Sequence, residues 1–211
     1  MSHILRSVGF SALIALVPLS SQADLFGLIA GREATPAKTS NLSVELGIVD
    51  GQVDDSDYQN IAARLNYKLS PEIVVSATAG TSEFGVTDGA PLGASLLYYL
   101  SNQRISDRVE IAGKVSYNAG RYSLGELEAD LTSLGLEVLV SGATPLMSNG
   151  LSWYSNVGYH RITVDFGRSD VSHELGLGAG LVLPNALGNA YIGVENIDGL
   201  SFGLGIRYFV Q

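Results

Sequence analysis

A β-strand turns successive side chains to opposite faces, so a period-two alternation of apolar and small or polar residues marks a strand whose two faces meet different surroundings. This chain keeps that period from about residue 42 to residue 210. Leu42, Val44, Leu46 and Ile48 alternate with Ser43, Glu45 and Gly47. In the last stretch, SFGLGIRYFVQ, Phe202, Leu204, Ile206, Tyr208 and Val210 alternate with Gly203, Gly205, Arg207 and Phe209. About ten segments read this way, and none has a helical period. The face opposite the apolar one is rich in glycine and small polar residues, and only 16% of the chain is charged. A soluble sandwich would carry more charge on its water-facing side. In lipid only helices and closed barrels satisfy their backbone polar groups. The pattern therefore predicts an all-β fold over 40–211: a closed antiparallel up-and-down transmembrane β-barrel of about ten strands, with eight as the alternative. Its apolar face looks outward.

The connectors sort into two sets. LSPE, SNQRISD, TPLMSNG and PNALGN are short; DGQVDDSDY, TSEFGVTDGAP, NAGRYSLGELEAD and the stretch around VDFGRSD are mostly longer and acidic, with NIDG a tight turn among them. Short turns at one end and longer loops at the other are the plan of an outer-membrane barrel. An even strand number puts both termini on the short-turn side.

SFGLGIRYFVQ resembles the C-terminal strand by which the outer-membrane assembly machinery recognises its clients, with Val210 in the phase of the usual last Phe and Gln211 following. Gly203, Gly205, Arg207 and Tyr208 sit much as in small barrels similar to the outer-membrane protein A transmembrane domain and the opacity proteins. The resemblance implies a Gram-negative outer membrane, lipid and lipopolysaccharide as surroundings, and the barrel-assembly machinery as a partner during biogenesis.

The N-terminal stretch MSHILRSVGFSALIALVPLSSQA has Arg6 near its start, an apolar run over 8–19, and small residues at Ser21 and Ala23. This is the pattern of a cleaved signal peptide over 1–23. Residues 24–39 read as an irregular lead-in. Without residues 1–23 the chain loses Arg6 and no acid, so its net charge moves from −9 to about −10, which argues against a nucleic-acid partner. Cysteine is absent, so disulfides and thiolate metal sites are excluded, and no cofactor motif appears. Oligomeric state is not legible.

Two sets of side chains are candidates for function. The inward phase collects Glu45, Arg64, Lys68, Glu110, Lys114, Glu137, Glu174, Glu195 and Arg207. Opposite charges in a narrow barrel should pair, because a buried unpaired charge is costly. Arg207 is expected to meet Glu45 or Glu195, in a network that takes in Lys114 and Arg64. Such a lumen is either a static charge-paired core or a narrow polar pore, and the static core is the stronger expectation. The outward phase collects Tyr67, Tyr98, Trp153 and Tyr208 near the terminal end and Tyr117, Tyr159 and Phe202 near the other. These read as two interfacial aromatic girdles. The expected role is structural or surface-exposed; a small porin-like channel and a membrane-embedded lipid-modifying enzyme or protease are the alternatives. The enzyme reading is weak. In Ser172-His173-Glu174 the His faces away from its neighbours if the segment is a strand. His160 is inward and within reach of Glu174, a pair that is more often structural. The loop acids Asp50, Asp54, Asp55, Asp57, Glu126, Glu128 and Asp130 could take a divalent cation, but their spacing matches no ordered calcium loop.

Overall fold

A computed structural model describes residues 40–53, 56–100, 109–124, 127–144, 150–165, 167–185, 187–196 and 199–210. The signal-peptide and lead-in readings, and Asp54, Asp55 and Glu126, lie outside these residues. The described chain is all strand and turn: β1 (Leu42–Val53), β2 (Ser56–Lys68), β3 (Ile73–Phe84), β4 (Thr87–Gly89), β5 (Leu92–Tyr99), β6 (Val109–Leu124), β7 (Leu127–Ala143), β8 (Ser152–Asp165), β9 (Ser169–Pro184), β10 (Gly188–Asn196) and β11 (Leu200–Val210).

Successive strands pair antiparallel, β4 and β5 excepted, and β1 pairs β11 from Leu42↔Val210 to Gly51↔Ser201. The sheet is thus a closed ring. β4 and β5 both lie between β3 and β6, so they are two pieces of one stave. The break falls at Ala90-Pro91, where proline has no N–H to give the ladder; Gly80 N–H still donates to the Pro91 carbonyl at 3.0 Å. Counted as staves, the barrel has ten, as the alternation predicts, and not eight. The ring is staggered. A row of paired residues runs Asn60–Val49–Gly203–Gly193–Gly180–Tyr154–Ser141–Glu110. It starts well inside β2 and arrives next to the first residue of β6, as strand tilt in a barrel requires.

The outward phase is the expected one. Leu46, Ile61, Leu134, Leu175 and Leu204 are exposed, Leu204 by 55%, while their sequence neighbours Glu45, Ala62, Ser133, Glu174 and Gly203 are buried. In a folded chain with this much apolar surface turned outward, the surroundings of that surface must themselves be apolar.

The connectors differ from expectation in one respect. DGQVDDSDY and NAGRYSLGELEAD are not loops for most of their length. The β1–β2 ladder runs to Val53↔Ser56 and the β6–β7 ladder to Leu124↔Leu127. The strands continue past the apolar belt, and their outward residues there (Gln52, Asp57, Gln59, Arg121, Glu128 and Asp130) are polar and exposed. Their inward residues Val49, Tyr58 and Tyr122 pack together, with Phe84 and Leu131 against them. A strand whose outer face meets water loses the apolar half of its signature, although its inner half keeps the period. The β3–β4 hairpin turns at Gly85, whose φ of 58° suits glycine.

On the β6–β7 extension Arg121 Nε donates to Asp130 Oδ1 at 2.8 Å. This hydrogen bond, with the guanidinium charge behind it, holds the Asp130 carboxyl below the ordinary carboxylate range. A lowered folded-state value means that the pair supports the hairpin above the ordinary carboxylate pKa. That support is lost as pH falls through the lowered value. Arg121→Gln should bring the Asp130 titration back up to the ordinary range, followed by NMR shifts of the micelle-folded protein; an unmoved titration would remove Arg121 as the cause.

The outward phase is testable at mid-strand. Leu204→Arg should impair folding into lipid vesicles by roughly 2–4 kcal/mol, read from urea titrations; a variant that folds as well as wild type would invert the assigned faces.

Candidate functional site: the lumen

Large side chains on one strand stand opposite glycines on the next. Tyr58 faces Gly51, Tyr122 faces Gly89, Tyr154 faces Gly180 and Tyr191 faces Gly205. Polar groups follow the same rule: Asn118 faces Gly93, Asn156 faces Gly178, Glu137 faces Gly158 and His160 faces Gly135. A Cβ on Gly135 would come within 2.6 Å of His160 Nδ1 and of Ser116 Oγ, and one on Gly158 within 2.8 Å of Glu137 Cγ. At Gly89 all three nearest atoms belong to the Tyr122 ring. The glycine face is therefore a set of platforms on which neighbouring side chains lie flat.

The charged residues settle between these layers. Glu45 on β1 is at the centre of one group. Arg207 Nε on β11 donates to its Oε1 at 2.6 Å, Arg64 Nη1 on β2 to its Oε2 at 3.3 Å, and Asn66 Nδ2 to Oε1 at 2.9 Å. The register makes this unavoidable, since Glu45 is paired with Arg207 on one side and Arg64 on the other. Arg64 Nε also donates to Thr78 Oγ1 at 3.3 Å, and the Arg207 guanidinium lies 5.8 Å from the Tyr191 ring centroid. A second group forms on β6–β10. Lys114 Nζ meets Glu137 Oε1 at 3.0 Å, and the Asn156 amide lies 3.5 Å from Glu137 Oε2 and 3.4 Å from Glu195 Oε1. Arg207 is thus placed against Glu45 and Glu195 against Asn156, while Lys114 meets Glu137 on the adjoining strand.

Of the remaining inward charges, His160 and Glu174 face each other in register and both are buried. Glu110 is half-buried opposite Ser141, and Lys68 is half-buried at the terminal end. His173 points outward instead, donating or accepting at 2.6 Å with Tyr159 Oη and stacking on its ring. Ser172-His173-Glu174 is therefore split across the wall. Among the described residues no three His, Asp or Glu side chains converge as metal ligands; Asp50, Asp57, Glu128 and Asp130 sit on strands. Tyr67, Tyr98, Tyr117, Tyr159, Phe202 and Tyr208 are exposed on the outer face, and Trp153 shares their phase, partly covered.

Sequence reasoning missed the apolar part of the lumen. Tyr58, Tyr99, Tyr122, Tyr154 and Tyr191 are inward and buried, with Leu97, Leu139, Ile162 and Val182. The available signal was tyrosine in the inward phase of strands whose neighbours carry inward glycine.

No protein-family model and no curated protein matches the chain. Among solved structures it is similar to the KdgM porin, at 13% identity over 80% of this chain and 99% of that one, with a TM-score of 0.37. It is similar to the translocator domain of the autotransporter NalP from Neisseria meningitidis, at 11% identity over 82% and 90% with a TM-score of 0.40. It is also similar to the β-domain of the Bordetella autotransporter BrkA, at 12% identity over 81% and 99% with a TM-score of 0.49. At such identities the likeness is one of barrel fold, and nothing of the neighbours' activities transfers.

Glu45 gives the sharpest stability test. Removing it leaves two guanidiniums facing each other inside the wall, so Glu45→Ala should cost about 3–5 kcal/mol by urea unfolding. A loss within experimental error would mean that water already reaches the group.

Proposed function

We propose that the protein is an integral outer-membrane β-barrel of a Gram-negative bacterium, exported through the signal peptide over 1–23, with a structural or surface-exposed role and a closed, charge-paired lumen. One observation carries the closed lumen: Glu45, Asn60, Ala112 and Leu139, on four different strands of the inward face, have 0% exposure. Residues lining a water-filled pore would be wetted. Here layers of tyrosine and leucine alternate with paired charges, so no solvated path is left along those staves. The outward apolar belt supports the membrane. The outward Tyr67, Tyr98, Trp153 and Tyr208 near the terminal end, and Tyr117, Tyr159 and Phe202 farther along, support two lipid interfaces. In this orientation the termini face the periplasm and the β1–β2 and β6–β7 extensions stand on the cell surface, among lipopolysaccharide. The C-terminal strand's resemblance to an assembly signal supports delivery by the barrel-assembly machinery.

The purified protein in a planar bilayer should show no stable unit conductance. A reproducible ohmic step would overturn the closed-lumen reading in favour of a small porin-like channel.

A further inference from the structure

The outer wall is apolar over most of its height, but one patch of it carries a cation. Toward the end away from the termini the outward phase runs Val138-Leu136-Leu134 on β7, Val157-Tyr159-Arg161 on β8 and Leu177-Leu175-His173 on β9. The register sets Leu134, Arg161 and His173 in one row, and Leu134 in turn stands beside the girdle residue Tyr117. The next outward positions on β7 and β8 are Thr132 and Thr163, so Arg161 is exposed where the apolar belt stops. His173 Nδ1 is hydrogen-bonded to Tyr159 Oη at 2.6 Å and the two rings stack, which fixes the histidine beside the arginine. Among the described residues Arg161 has neither a hydrogen-bond nor an ion-pair partner, whereas Arg121 is held by Asp130 at 2.8 Å. Next to this row, on its terminal side, the wall is hollow. Gly113, Leu136, Val138, Val157, Tyr159 and Leu175 line an open apolar cleft of about 480 Å³. Gly113 gives it depth, since a Cβ there would meet no atom within 4 Å. Lys114 and Glu137 also border the cleft, but they pair with each other on the inward side.

We propose that this patch binds one phosphorylated glycolipid of the outer leaflet, with an acyl chain in the cleft and a phosphate at Arg161 and His173. The inference rests on the membrane orientation proposed above. A guanidinium is costly at the bilayer midplane and tolerated near an interface, where its stem lies on apolar wall and its head reaches the headgroups. Its planar N–H donors, with no acceptor from the described protein, match the oxygens of a phosphate. With Tyr159 donating to Nδ1, His173 carries its proton on Nε2 and adds a donor on the adjoining strand. Farther up, Asp130 and Asp165 stand opposite each other across β7–β8. An anionic headgroup is repelled there and attracted at Arg161, which fixes its height on the wall. A soluble anion would use the arginine and leave the cleft empty; a lipid has a part for each. Because β7 and β8 continue as paired strands beyond Arg161 to Asp130 and Asp165, a polar wall stands beside the headgroup. That suits a sugar-bearing lipid better than a small phospholipid head.

Diphosphorylated lipid A is the probe. It is added to the full-length barrel folded in uncharged dodecyl maltoside micelles, and the retained copies are counted by native mass spectrometry. One copy should be retained in a saturable way. Arg161→Gln should weaken retention about tenfold, the effect of losing a charge-assisted hydrogen bond, and Arg161→Lys should recover part of it. Gly113→Leu should weaken retention as well, by filling the cleft while the charged row stays intact. Both positions face outward, so the urea midpoints of these variants without lipid A should match wild type, which separates lost binding from lost folding. Retention unchanged in Arg161→Gln, equal retention of dephosphorylated lipid A, or tighter retention of phosphatidylglycerol would each overturn the proposal. Displacement of lipid A by inorganic phosphate would reassign the patch to a free anion and overturn the lipid. A chain that does not fold into phosphatidylcholine vesicles fails the membrane reading itself; a chain that folds there and retains no lipid A fails this inference alone.

Discussion

Lipid offers a peptide group no hydrogen-bond partner, so a sheet that lies in it must have no edge. Every other feature of this barrel depends on the seam at which its first strand meets its last. The β1–β11 ladder is as regular as any within the sheet, and it brings Glu45 beside Arg207. The same register sets Glu45 beside Arg64 on the other side. Backbone closure and charge closure therefore coincide at one residue. A slip of β1 by one position would turn Glu45 away from Arg207 to the outer face and bring Leu46 inside.

The interior solves a volume problem. A ten-stave ring encloses more space than side chains of average size fill, since barrel diameter grows with strand number. Filling it with large residues on every strand would overcrowd the wall; filling it with small ones would leave it wet. Placing tyrosine, histidine, asparagine or glutamate opposite glycine on the neighbouring strand lets each large side chain lie across two staves. The glycines weaken their own strands, and the rings and amides that cover them restore the packing. Charge pairs in this setting are enclosed by apolar layers, as with Lys114 and Glu137 above the Leu97–Leu139 cluster.

Much of this was legible in the residues, and the reason is the period. Two faces in two surroundings give a signal on every strand, so the ring and the outward phase could be read from alternation alone. Two things could not. The strand extensions of β1–β2 and β6–β7 have water on their outer face, so Gln52, Asp57 and Asp130 look like loop residues although their backbones are paired. Apart from Arg207, which ring closure narrows to Glu45 or Glu195, the partners of the lumen charges depend on register across strands. Sequence neighbours such as Lys114 and Glu110 share a face without sharing a partner; Lys114 reaches Glu137 because the β6–β7 ladder sets them side by side. Why Tyr154 should lie inward while Trp153 faces out follows from phase, but that its ring lies across the next strand follows only from Gly180 opposite it.

The pairing of Glu45 with Arg207 spans 162 residues of chain. A contact of that separation forms late, because the entropy of closing so long a loop is spent before any reward arrives. Until then the incipient barrel has two open edges, and a carboxylate and a guanidinium each lack a seam partner. Partly inserted forms are therefore penalised twice, once by their bare backbone and once by their charges. Completion of the ring relieves both at a single step, which makes insertion a cooperative event with few stable stopping points.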